Sequence, residues 1–164
     1  METASLMMVA AIQRSRQRCW IMTPYFVPDD LLLESLCMAA QRGVDLRLIM
    51  PERSNHRLAD WAREGYLSQL QESGAGIYFY QPRMLHAKAL IIDDRVALTG
   101  SANMDMRSLL LNYEVGLCIY SPEMILQLEA WMHDLMTASR QREPHQNRTL
   151  TLIEGVSRLF APLL

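Results

Sequence analysis

His86-Ala87-Lys88 is followed by Asp93, then by Gly100-Ser101-Ala102-Asn103 and Asn112-Tyr113-Glu114. A nucleophile, a cation, an amide and a carboxylate thus share one short stretch, the set of groups a phosphodiester-cleaving site needs. A neutral imidazole attacks phosphorus and carries a phosphoryl group when its second nitrogen is held by an acceptor and fixed donors meet the phosphate charge. Alternation along a strand from Leu85 to Ile92 puts His86 and Lys88 on one face. Lys88 and Asn103, with Ser101 beside them, are the candidate phosphate donors. Glu114, on a strand-like run from Asn112 to Tyr120, is placed to reach the distal nitrogen of His86 and fix its tautomer. Asp93 falls where a strand meets a turn.

A bare His-x-Lys is an ordinary strand pair; the joined spacing H-x-K-x4-D, G-S-x-N and N-x-E is far more specific. From His86 to Glu114 the chain resembles the phospholipase D superfamily. That resemblance implies a histidine nucleophile, a second histidine as general acid, no metal and no cofactor, with His86, Lys88, Asp93, Asn103 and Glu114 as the catalytic set. Thr23-Pro24-Tyr25-Phe26-Val27-Pro28-Asp29, Met84-Leu85-His86-Ala87-Lys88, Gly100 to Ser108 and Leu111-Asn112-Tyr113-Glu114-Val115 are together similar to the C-terminal half of bacterial cardiolipin synthases, a likeness running from about Thr3 to Leu164.

Those enzymes carry two copies of the motif. This chain has one, and its other three histidines sit in no second H-x-K frame. The expectation is therefore one phospholipase D-like repeat over 1–164, completed by the N-terminal half of the same enzyme or by a second copy as a homodimer. Met1 followed directly by a helical pattern suits an excised half with an added initiator methionine.

The implied activity is cardiolipin synthesis from two phosphatidylglycerol molecules through a phosphohistidine, on the cytoplasmic side of the bacterial inner membrane, with the fragment peripheral to the membrane surface. Two alternatives stay open: a homodimeric nuclease using the same residues, and a folded half without activity of its own. Tyr25 and Phe26, framed by prolines after a strand, are candidates for an apolar wall against the lipid. Asp105 and Arg107 are expected to pair and hold the loop after Asn103.

Composition narrows these readings. Half of the 164 residues are apolar, enough for one domain with a substantial core. A net charge of -2 argues against a nucleic-acid partner, which a phosphate-gripping protein meets with a basic excess. Cys19, Cys37 and Cys118 lie singly in apolar runs and read as buried thiols. The twelve methionines read mainly as core filling.

Helix and strand signals alternate throughout, which implies an α/β layered domain, a mixed sheet flanked by helices, with the site at strand ends and loops. Helices are expected over Thr3–Gln17, Asp29–Gln41, Arg57–Glu72 and Pro122–Arg140. Strands are expected over Cys19–Thr23, Val44–Met50, Ile77–Tyr80, Leu85–Ile92, Val96–Thr99 and Tyr113–Tyr120, with a hairpin at Asp93-Asp94-Arg95. A loop over Gln141–Arg148 and an amphipathic segment over Leu150–Leu164, a candidate for membrane contact, complete the chain.

Overall fold

The structure is a computed structural model that describes residues 3–55 and 57–143. The expected segment over Leu150–Leu164 lies outside the described residues, as do His56 and His145. The chain runs α1 (Thr3–Arg14), β1 (Arg18–Met22), β2 (Phe26–Val27), α2 (Asp30–Gln41), β3 (Asp45–Pro51), α3 (Arg57–Glu72), β4 (Gly76–Tyr80), β5 (Ala89–Ile92), β6 (Val96–Gly100), β7 (Met104–Asp105), a π-helical turn (Arg107–Leu111), β8 (Gly116–Ile119), α4 (Pro122–Thr137) and β9 (Ser139–Gln141).

Local chemistry sets the helix ends. Asp29, in extended conformation, accepts from the Leu32 N–H at 2.7 Å and caps α2. Gly43 ends that helix at φ 87°, its N–H returning to Ala40 O at 2.9 Å. Ser121 caps α4, and Pro122 occupies the first turn, where its missing N–H costs nothing. The first helix stops at Arg14 rather than Gln17. Ser15 bonds back to Ile12 O, and the next three backbone N–H groups, of Arg16, Gln17 and Arg18, all turn to the Asp93 carboxylate.

The mixed sheet expected from the alternation is present as seven strands in the order β8-β6-β5-β1-β3-β4-β9. Strands β1, β3 and β4 are parallel, whereas β5, β6, β8 and β9 each run antiparallel to their neighbours. Both faces are covered. Cys19, Ile21, Leu46, Leu48, Met50, Leu90 and Ile92 pack with α1, α2 and α3, while Trp20, Met22, Ile49, Ala89 and Ile91 pack with Ile125, Met132 and Met136 of α4. Burial on two sides explains why these strands read as continuous apolar runs. Among the described residues no helix is long and apolar enough to cross a membrane.

Direction reversal in the sheet positions the site. Because β5 runs against β1, the C-terminal ends of β1 and β3 share an edge with the N-terminal end of β5. The turns through β6 and β8 bring Gly100 and Gly116 to the same edge. A small parallel pair, β2 with β7, sets Phe26 opposite Met104 and Val27 opposite Asp105, fastening the segment after β1 to the one after Asn103.

Several expected boundaries shift. The strand expected over Leu85–Ile92 begins at Ala89, whose partner Met22 is the last residue of β1. Thr23 and Pro24 follow, and proline has no N–H to extend the ladder. The strand expected from Tyr113 begins at Gly116, because Ser101 takes up both ends of Val115: its Oγ accepts from Val115 N at 2.9 Å and its N–H donates to Val115 O at 3.0 Å. At the other edge, α4 ends at Thr137, and Ser139–Gln141 joins β4 in place of part of the helix and loop expected there. The Arg142 N–H donates to Ile77 O, and its buried guanidinium binds Gln71, Glu64 and Ser68.

Candidate active site

His86 sits on the exposed segment leading into β5. The Lys88 ammonium folds back onto it, 3.1 Å from Nδ1, 3.4 Å from Nε2 and 2.9 Å from the His86 carbonyl oxygen to which it donates. The two side chains are therefore neighbours, although no strand carries them. Burial draws the Lys88 ammonium below its usual range, while the carboxylates of Glu114 and Asp105 pull it back part of the way. Thr99 Oγ1 donates to Lys88 O at 2.9 Å and holds the lysine backbone against β6.

Tyr25 meets His86 edge to face, with ring centroids 6.4 Å apart at 82°. Its hydroxyl donates to Asn55 Oδ1. Burial pushes that hydroxyl above its ordinary value; the bond to Asn55 opposes the rise, and Asp105 and Asp60 add to it. Phe26 does not join this wall. It is fully buried in the core against Met104, so the expected lipid-facing role is corrected to a structural one. Tyr25 precedes β2 and is partly exposed, whereas Phe26 and Val27 are both buried where β2 pairs with β7.

Ser101, Asn112 and Glu114 form one cluster. Glu114 accepts from Ser101 Oγ through one oxygen and from Asn112 Nδ2 at 3.3 Å through the other. No hydrogen bond joins Glu114 to His86. Gly100 is required here by space: a Cβ on it would lie 2.1 Å from Val115 O. Asn103 lies deeper, its Nδ2 donating to Ser108 Oγ at 3.2 Å and its Oδ1 buried without a partner among the described residues. Asp105 and Arg107 form no ion pair. Asp105 instead accepts from the Ser108 N–H at 2.6 Å and opens the π-helical turn.

Asp93 is at the opposite end of β5. It is buried, and its carboxylate accepts from the backbone N–H groups of Arg16 (3.2 Å), Gln17 (2.8 Å) and Arg18 (3.0 Å). Burial alone would raise its pKa, but these donors outweigh it and hold the group below the usual carboxylate range. At five residues from Lys88, or about 15 Å of extended chain, the structure does not bring Asp93 to the imidazole.

Two supporting residues escaped the sequence reading. Buried Thr23 donates to Tyr25 O at 2.8 Å and accepts from the Met104 N–H at 3.2 Å, joining the Tyr25 and Asn103 segments. Ser108 does the same for Asn103. Both lie inside the quoted motifs, but a hydroxyl next to a proline or an arginine gives no sign of which distant segment it binds. Cys19 and Cys37 are buried as expected, whereas Cys118 is partly exposed because β8 is the sheet edge.

Residues 8–136 match the family model described as cardiolipin synthase, PLD-like domain. The chain is 41% identical over 161 residues to a cardiolipin synthase of a Geobacillus species and 38% identical over 167 residues to cardiolipin synthase 2 of Bacillus cereus, covering 96% and 99% of this chain. It spans about a third of the length of these curated relatives, 32% in each case. Its fold matches Nuc, a phospholipase D family member of Salmonella typhimurium, at a TM-score of 0.75 with 22% identity, covering 85% of this chain and 91% of Nuc. It also matches a phosphatidylserine synthase of Haemophilus influenzae at a TM-score of 0.72 with 18% identity, covering 98% of this chain and 42% of that one. With an imidazole and an ammonium paired at the sheet edge and a family match covering most of its length, the chain belongs to the phospholipase D-like domain family of cardiolipin synthases.

Proposed function

We propose that this chain is one half of a phospholipase D-type phosphatidyltransferase that makes cardiolipin from phosphatidylglycerol. The observation that carries this is the contact of Lys88 Nζ with the exposed ring of His86, 3.1 Å from Nδ1. A lysine at that distance lowers the charge cost of bringing a phosphodiester to the imidazole, and it is free to turn from ring to phosphate oxygen.

With Lys88 on the phosphate, Glu114 is the acceptor for Nδ1–H, which leaves Nε2 unprotonated for attack. His86 Nε2 then forms the N–P bond as the P–O bond to glycerol breaks. The departing oxygen takes its proton from a histidine on the partner. In the second step that same histidine removes the proton from a hydroxyl of another phosphatidylglycerol, whose oxygen attacks phosphorus and releases His86. Asn103 adds a donor: with its amide turned over, Ser108 donates to Oδ1 and the buried Nδ2 becomes available.

The partner's place is supported by exposed apolar residues beside the site. Tyr113 is 97% and Val115 76% exposed, with Leu111, Leu117 and Tyr120 also open along β8, which has no strand beyond it among the described residues. Such a patch on an unpaired edge marks an interaction surface. The other half, bearing the second histidine, docks there, and the assembled enzyme works at the membrane surface.

The test is isolation of the covalent intermediate from the assembled enzyme fed phosphatidylglycerol labelled at phosphorus. An acid-labile, base-stable adduct on His86 is expected. An adduct on any other residue, or a homodimer of this chain that cleaves DNA and leaves the lipid untouched, would overturn the reading.

A further inference from the structure

We propose that a cavity under α1 takes an acyl-chain segment of the lipid whose phosphate meets Lys88, which deepens the phospholipid reading above by giving that same site a chain-binding subsite. The cavity measures about 290 Å³ and is walled by Met7, Met8, Leu90, Leu98, Met104 and Cys118, with Lys88 and Glu114 in its lining.

Strand pairing builds its floor. Leu90 pairs with Leu98, and Leu98 with Cys118, so three side chains form a row across β5, β6 and β8. Lys88 lies two residues before Leu90, about 7 Å along extended chain and on the same side. One end of the row is therefore cationic and the rest apolar. An anionic headgroup with a hydrocarbon tail has that distribution of charge and oil; a free phosphate lacks the tail, and an apolar protein side chain lacks the charge. Glu114 lies at the same end, its two oxygens accepting from Ser101 and Asn112, and its charge helps keep the Lys88 ammonium protonated against burial.

The size is also selective. Sites that enclose a whole small molecule run from about 300 to 1,000 Å³, so this cavity takes part of one chain and leaves the remainder of the lipid outside. Its three-strand floor lies where the helices of this face give out: α2 and α3 pack over the other strands, and over β5, β6 and β8 the roof is the apolar Met7-Met8 side of α1.

Cys118 reports occupancy directly, because it is partly exposed in the cavity wall while Cys19 and Cys37 are buried. The full chain is treated with iodoacetamide and modification of each cysteine is followed by peptide mass spectrometry, in the presence of ethyl, hexyl, nonyl or dodecyl phosphate below micelle-forming concentrations. The expected result is no protection by ethyl phosphate and at least tenfold slowing at Cys118 by the longer chains. Burial of each methylene is worth about fourfold in affinity, so the half-protecting concentration should fall steeply with length until the space is filled. In Leu98→Phe, which fills part of the cavity, that plateau should come at a shorter chain.

Protection independent of chain length, or equal protection by ethyl phosphate, overturns the proposal. The readout is taken on the chain alone, because the other half, docking along β8, would shield Cys118 by itself. Turnover is not read here. Failure of phosphatidylglycerol as a substrate would remove the proposed activity without altering the protection result, and loss of protection would leave the phosphohistidine test standing.

Discussion

At one end of β5, Asp93 is buried and takes three backbone N–H groups; at the other, His86 is exposed and its ring meets the Lys88 ammonium and the edge of Tyr25. Both ends carry ionisable residues of the same motif. They differ in how completely their hydrogen-bonding capacity is used. Asp93 is saturated by groups that belong to the fold, so its removal is a folding problem. The His86 end keeps capacity in reserve: a lysine touching a ring it can leave, an amide oxygen without a partner, and an exposed apolar border. Unspent capacity at a defined position is what a substrate can use.

The sharpest way to break this contrast is His86→Asn. Turnover by the assembled enzyme should fall at least a thousandfold, as expected for loss of a nucleophile, while the thermal midpoint stays within about 1 °C because the side chain is exposed. Retained activity with normal assembly would place the nucleophile elsewhere. Glu114→Gln comes next, with kcat down roughly a hundredfold and KM little changed, since its charge matters most as the imidazole becomes cationic. An equal loss in binding would reduce Glu114 to a brace for Ser101.

Asp93→Asn tests the other end. Asparagine tolerates the φ of 50° found there, so the substitution removes charge without backbone strain. Stability at neutral pH should fall by about 1.5–3 kcal/mol, the usual worth of hydrogen bonds to a charged group, with kcat within threefold in the folded enzyme. Because the folded pKa is depressed, the stabilisation is complete above the unfolded value of about 3.9 and is lost as pH falls through the lower folded value. Urea titrations should show the variant's deficit shrinking below pH 4. A large kcat loss with unchanged stability would erase the distinction between the two ends. The smallest effect is expected for Tyr25→Phe, which keeps the edge contact with His86 and removes the bond to Asn55. A two- to fivefold change in kcat/KM is expected, and none at all would show that the ring alone matters.

The layered mixed sheet was legible because buried strands read as apolar runs and capping residues such as Asp29 and Ser121 mark helix starts. The adjacency of His86 and Lys88 was legible from spacing. What spacing could not reveal was where each segment stops: β5 begins at Ala89 because Met22 is the last partner β1 offers, a tertiary fact. Adjacency in sequence also misled at Phe26, whose neighbour Tyr25 faces His86 while Phe26 itself is in the core. Asp93 stood in the motif beside His86 and Lys88, yet its partners come from a turn about 75 residues earlier, a pairing at long range that local pattern cannot contain.

The π-helical turn at Arg107–Leu111 has a bearing of its own. Such a turn holds one residue more than the α-helical path it replaces, and each residue of helix rotates the chain by about 100°. Removing a residue after Ser108 would turn the chain that follows by about 100° relative to the Asn103–Ser108 pair, and so change how Asn112 and Glu114 stand to that pair, whatever side chains remained. The segment between the amide and the carboxylate is thus constrained by its length more than by its composition, and insertions or deletions there are a more severe kind of change than any single replacement.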